Sequence, residues 1–187
     1  MTGYNLKEHI RSTDIITVLY LTVSMLFILV FGRAENYLMP LLLRLMTVVI
    51  VIFVIYLSSK MDKKAMQFIH LFYPILVLTY FYGETAQFNH LIFAESLDPV
   101  FYDLEEWVFG FQPSLEFSIR FSQKWFSELL NFGYFSYYIL TFGVSLAFFI
   151  LRPEQVEKVI FLIITSFFIY YLVFLIFPVV GPQIPPF

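Results

Sequence analysis

The 187-residue sequence contains no cysteine, only 7 glycines, and 13% charged residues. Without cysteine there is no disulfide framework and no thiolate metal site. Seven glycines leave no room for a hidden Gly-rich phosphate loop. Basic residues are scarce too: 11 Lys and Arg against 14 Asp and Glu give a net charge of −3. That balance offers no electrostatic footprint for DNA or RNA. A soluble domain carries about 25% charged and about 45–50% apolar residues. This chain is instead 60% hydrophobic with a mean hydropathy of +0.81. Its 25 Phe, 13 Tyr and 2 Trp also exclude disorder. What remains is an integral membrane protein.

Charges punctuate the sequence into apolar blocks of membrane length. These run over about residues 15–32, 37–59, 65–83, 129–151 and 159–180. A helix needs about 20 apolar residues to cross a ~30 Å hydrocarbon core, so five crossings are the natural count. Backbone polar groups cannot face lipid unpaired, which makes each crossing a helix, and the long runs lack the alternation of a barrel strand. The expected fold is an all-α membrane domain spanning 1–187, with no internal repeat or linker. The first block has a polar lead and no small-x-small cleavage site, so it reads as an uncleaved anchor rather than a signal peptide.

Lys7, Arg11, Lys60, Lys63, Lys64, Arg152 and Lys158 fall on one side if the spans alternate. Arg33, Arg120 and Lys124 fall on the other, with Arg44 near that end of its span. The asymmetry predicts a cytoplasmic N-terminus in a plasma or inner membrane. The connection over about residues 91–128 and the tail from Gly181 then face outward. Arg44 lies about two turns inside its block, where it is expected to snorkel toward outer headgroups, although pairing with a buried acid is an alternative.

The outer connection carries structure of its own. Asp98 is expected to cap a helix begun by Pro99 and terminated by Gly110. Val100, Phe101, Leu104, Trp107 and Val108 share one face, opposite Asp103 and Glu106, as in a helix lying in the interface. Leu115, Phe117, Ile119 and Phe121 then alternate with polar residues, the period of a strand. A lone strand at a membrane surface leaves its edges unpaired, so a second interfacial helix is the better expectation. Trp125 suits the headgroup level before the fourth span.

Two spans carry polar stripes. Ser127, Asn131, Tyr134, Tyr138, Thr141 and Ser145 share one face of the fourth, and Tyr73, Tyr80, Glu84 and Gln87 one face of the third. Such residues can glue helices by hydrogen bonds or line a functional site. Glu84, ionisable near the outer end of a span, is a functional candidate or a headgroup anchor. His9, His70 and His90 sit in no metalloprotease or Ser/His/Asp pattern.

The last span closes on Tyr170–Tyr171 and then Phe177–Pro178, followed by Gly181–Pro182–Gln183. Phe-Pro-x-x-Gly-Pro after an aromatic helix resembles the type-2 phosphatidic acid phosphatase superfamily, in its inositol phosphorylceramide synthase-like branch. Glu84 after an aromatic span is similar to that branch. So are the segment Glu105, Glu106, Phe109, Gly110, Pro113, Ser114 and the Tyr-rich Tyr134, Ser136, Tyr137, Tyr138. The likeness covers roughly Tyr73 to Gln183.

The resemblance implies a lipid phosphatase or phosphotransferase acting on phospholipid, sphingolipid or inositol-phosphate headgroups at the extracytoplasmic face. It implies no cofactor or metal, a phosphohistidine intermediate, a second histidine as acid, and an orienting aspartate. Gly181, Pro182, Gln183, Glu84 and Tyr138 become candidate substrate-binding residues. Many members carry Arg at the position of Gln183. The catalytic Pro-Ser-x-His and His-x-x-x-Asp motifs follow the Gly-Pro phrase in family order and are expected beyond Phe187, so the chain reads as an N-terminal half. Two other classes stay open: a non-enzymatic membrane scaffold, and a small transporter whose stripes line a pathway. The prolines Pro40, Pro74, Pro113, Pro153 and Pro178 are read at or near span ends, which speaks against the transporter.

Overall fold

The computed structural model describes residues 9–32, 37–61 and 63–179. They form seven helices: α1 (Ser12–Phe31), α2 (Leu38–Lys60), α3 (Lys64–Phe88), α4 (Asp98–Phe109), α5 (Pro113–Arg120), α6 (Lys124–Leu151) and α7 (Pro153–Ile176). No strand occurs among the described residues. Helices α1, α2, α3, α6 and α7 are long and apolar enough to cross a membrane. The protein is an all-α integral membrane protein.

Four spans, α1 among them, are longer than the apolar blocks that announce them. α3 continues through Glu84 to Phe88, α6 begins at Lys124 so that Trp125 lies in its first turn, and α7 begins at Pro153. Hydrophobicity marks where lipid must be, whereas backbone hydrogen bonding continues until a breaker intervenes. Pro153 is such a breaker: Arg152, held at φ −144° and ψ 66°, is the single residue between α6 and α7. α7 ends at Ile176, four residues before the apolar run does. Pro74 lies in the interior of α3, not near its end. Having no N–H, it removes the helical bond to the His70 carbonyl.

The core is built from α1, α3 and α7. Tyr20 stacks on Phe168 with ring centroids 4.2 Å apart, and Leu21, Leu78, Phe81, Ile160 and Ile164 fill the space around them. On α7 the buried residues Val156, Ile160, Ile164, Phe168, Tyr171 and Leu175 recur at steps of four and three, one stripe down one face. α2 flanks α1 and α3, and α6 flanks α7. Arg11 and Glu157 (3.7 Å) join the starts of α1 and α7. At the opposite end, the carbonyl of Pro178 accepts the Leu97 N–H (2.8 Å).

The interfacial segment forms as two helices. In α4 Pro99 occupies the first turn and Gly110 closes the helix at φ +73°, a left-handed conformation that suits glycine. Asp98 is itself helical, one position inside the expected cap; Leu97 is the capping position, and the Asp98 N–H bonds the Ser96 hydroxyl (3.2 Å). α5 confirms helix over strand for Pro113–Arg120. No residue of α4 is buried, and Trp107 is 82% exposed, as befits a helix resting in lipid headgroups.

Candidate functional site

The functional geometry gathers where the C-terminal parts of α1 and α3 meet the N-terminal part of α2. Arg44, on the second turn of α2, is 1% exposed. It does not snorkel. Its Nη1 lies 2.8 Å from Oε2 of Glu84, whose side chain is 9% exposed. This is an ion-pair contact rather than an aligned hydrogen bond, since Oε2 accepts no aligned N–H; the aligned donations of Arg44 run from Nη1 to the Pro40 carbonyl (3.2 Å) and from Nε to the Ser24 hydroxyl (2.9 Å). The rings of Phe81 and Phe88 lie 4.9 and 5.6 Å from the guanidinium carbon, covering it with aromatic faces. The other carboxylate oxygen, Glu84 Oε1, accepts the Tyr80 hydroxyl at 3.3 Å.

Arg44 sits where snorkelling was feasible by length, so the pairing reflects a competing demand. An unpaired carboxylate at Glu84 inside the bundle is costly, and a cation one helix away removes that cost. Beside the pair a cavity of about 730 Å³ opens between α2 and α3, with Met39, Pro40 and Leu43 on one wall and Tyr80, Gly83, Glu84 and Gln87 on the other. A second cavity of about 310 Å³ adjoins it, sharing Gln87 and Phe88 and lined further by Tyr37, His90 and Ala94. Together they lead from Glu84 toward the loop that docks on Pro178.

A second polar cluster lies at the other end of the bundle. Asp14, in the first turn of α1, is 2% exposed. It accepts the Tyr73 hydroxyl (2.6 Å), His70 Nε2 (3.0 Å to Oδ2) and the Arg11 N–H (2.8 Å). An ionised carboxylate only accepts, so Nε2 carries the proton in this pair. His70 Nδ1 and Thr13 Oγ1 are buried without a hydrogen-bond partner among the described residues. The cluster ties α1 to α3; among the described residues no three His, Asp or Glu side chains converge on a metal site.

The polar stripe of α6 behaves differently from interhelical glue. Its residues share a face, but Tyr134 is 62% exposed and Tyr138 only half-buried; Ser145 alone is buried. Thr141 and Ser145 donate back into their own helix, to the carbonyls of Tyr137 and Thr141 (both 2.8 Å). A hydrogen bond between Tyr134 and Tyr82 (2.9 Å) links the stripe to α3. The C-terminal half of α6 meets α3 through Phe72, Phe142 and Phe149.

Of the sequence-derived site residues, Glu84 is therefore in a site and Tyr138 lies apart from it, its ring 4.3 Å from that of Tyr137. Gly181, Pro182 and Gln183 lie outside the described residues, as do Lys7 and Arg33. The sequence joins Arg44, Asp14 and His70 to no site and puts Tyr73 on one stripe with Glu84, whereas the structure gives Tyr73 to Asp14 in the other cluster. Spacing relates residues on one helix, and each of these contacts links two helices. Compared with family models, curated proteins and solved structures, the chain finds no match in any of the three.

Proposed function

We propose that this chain is the membrane-embedded part of a lipid phosphatase or phosphotransferase that receives phospholipid or inositol-phosphate headgroups at the extracytoplasmic face. One observation carries it. The bond from Leu97 to Pro178 brings the start of the interfacial segment against the end of the last span. Pro178 belongs to the Phe-Pro-x-x-Gly-Pro phrase, and Leu97 caps the helix that carries Glu105, Glu106 and Phe109 of the interfacial motif, so two parts of the resemblance about 80 residues apart in sequence are tied at the end of the bundle where the two adjoining cavities lie. The resemblance has the phosphoryl-transferring histidines following the Gly-Pro phrase, beside this same end. The basic residues at the opposite end support a cytoplasmic N-terminus in a plasma or inner membrane.

The test is turnover by the product of the complete gene, purified in detergent. Inorganic phosphate release and headgroup exchange are followed on phosphatidic acid and on an inositol-phosphate lipid. Turnover on either supports the proposal; none on both, from folded protein, overturns it.

A transport reading has one observation in its favour. Pro74 interrupts α3 mid-span, between the polar clusters at Asp14 and Glu84. Solute flux in proteoliposomes without phosphate chemistry would favour it.

A further inference from the structure

The Arg44–Glu84 pair is neutral as a whole but not as seen from the large cavity. Arg44 directs its nitrogens at Ser24 and the Pro40 carbonyl, is covered by Phe81 and Phe88, and does not line the cavity. Glu84 does line it, with Tyr80 and Gln87 on the same wall. The pair therefore turns its negative end to the cavity and its positive end to the protein. A carboxylate offers about four acceptor sites. Tyr80 takes one on Oε1, and Arg44 lies against Oε2. Oε2 is buried against Arg44, so the acceptor capacity left toward the cavity is that of Oε1, and the Gln87 side chain adds an amide oxygen.

The occupant such a wall recognises is a cation with N–H donors. An anion would meet the carboxylate first, and the buried guanidinium lies behind it. The cavity's rim includes Met39 at 64% exposure and Tyr80 at 49%, on the membrane-facing surface between α2 and α3. A water-borne amine gains nothing from such a rim, whereas a lipid lays its acyl chains against it. We propose that this cavity binds the primary ammonium group of an outer-leaflet phospholipid headgroup, with Glu84 as counter-ion and Gln87 as hydrogen-bond acceptor. The proposal rests on the assignment of the outer end as a headgroup site. It does not depend on phosphoryl transfer, and its test involves no turnover, so the two fail separately.

Gly83 makes the test clean. It lines the cavity, and a Cβ built there meets no atom within 4 Å. A leucine at this position fills the cavity while leaving the ion pair in place. Gly143, on α6 and equally open, gives the matched control. The protein is placed in mixed micelles holding equal amounts of ethanolamine, choline and glycerol phospholipids of the same chain length. Bound lipid is then counted by native mass spectrometry, with free ethanolamine added in a parallel arm.

The ethanolamine lipid is expected to be retained about tenfold over the glycerol lipid, the scale of a charge-assisted hydrogen bond. That preference should vanish in Gly83→Leu, fall in Gln87→Leu, and persist in Gly143→Leu. Equal retention of all three lipids overturns the proposal, as does a preference surviving Gly83→Leu. Equal binding of the choline lipid removes the role of N–H donors and overturns the primary-ammonium assignment. Displacement by free ethanolamine at concentrations matching the lipid would show that the acyl chains contribute nothing, and overturns the lipid as ligand.

Discussion

Arg44 and Glu84, 40 residues apart in sequence, meet at 2.8 Å across the α2–α3 boundary. Both are buried, and Ser24 of α1 completes the contact, so three helices converge on one guanidinium. Removing one partner strands a charge in a low-dielectric setting, at a cost of about 3–5 kcal/mol, whereas replacing both by apolar or neutral groups can be nearly neutral. Glu84→Gln should therefore lower the thermal midpoint in detergent sharply. The double change Arg44→Met with Glu84→Gln should recover most of the loss. Additive losses in the double variant would show that the pair contributes little.

The Asp14 cluster predicts a graded series. Tyr73→Phe removes one hydrogen bond to a carboxylate, worth about 1.5–3 kcal/mol. His70→Ala removes another and leaves a cavity as well, and so should cost more. His70→Gln, which can still present an N–H toward Asp14, should lie between wild type and alanine. Chemical denaturation in mixed micelles reads the order. Stability unchanged by Tyr73→Phe would detach Tyr73 from the carboxylate.

The five crossings were legible because lipid imposes a length and a composition, and both are written locally. α4 was legible for a similar reason: Pro99 and Gly110 act on their own neighbours. The sites were not legible to the same degree. Arg44 looked like a snorkelling residue because the sequence displays its distance from the block's end but not the acid on another helix. Asp14 lay in what read as a polar lead, yet α1 begins at Ser12 and carries it inside the bundle. Periodicity placed the α6 residues correctly on one face; which neighbour that face meets is a property of packing.

Topology follows from the alternation of the spans. With no native cysteine, single-cysteine variants label cleanly. A membrane-impermeant maleimide applied to intact cells should label Asp103→Cys on α4, an exposed position, and not Lys63→Cys before α3. The reverse pattern places the N-terminus outside.

The hydrogen bond between Tyr82 and Tyr134 is a polar link between the α6 stripe and α3. A double-mutant cycle with Tyr82→Phe and Tyr134→Phe should give a coupling of about 0.6 kcal/mol, and at most about 1.7, as for interhelical hydrogen bonds in lipid. Tyr138→Leu, at a half-exposed position, should change stability by less than Ser145→Leu at the buried one. A larger effect at Tyr138 would mean that α6 packs its outer half against a partner.

The final prediction concerns chemistry by the described residues alone. Phosphoryl transfer through a histidine needs a nucleophile and a second acid–base group within reach of one phosphorus atom. His70 is buried against Asp14 at one end of α3, while His90 lines a cavity just past the other. Twenty residues at 1.5 Å per residue put them about 30 Å apart, so no single phosphate touches both. His9 lies on the same side as His70, just before α1. The 187-residue polypeptide should therefore bind lipid yet release no phosphate and exchange no headgroup. Positioning by Glu84 and Gln87 cannot substitute for a covalent step. Turnover by the 187-residue form that survives His90→Ala would place the chemistry on residues outside this account. Turnover abolished by His90→Ala would make His90 the nucleophile, acting without a second histidine.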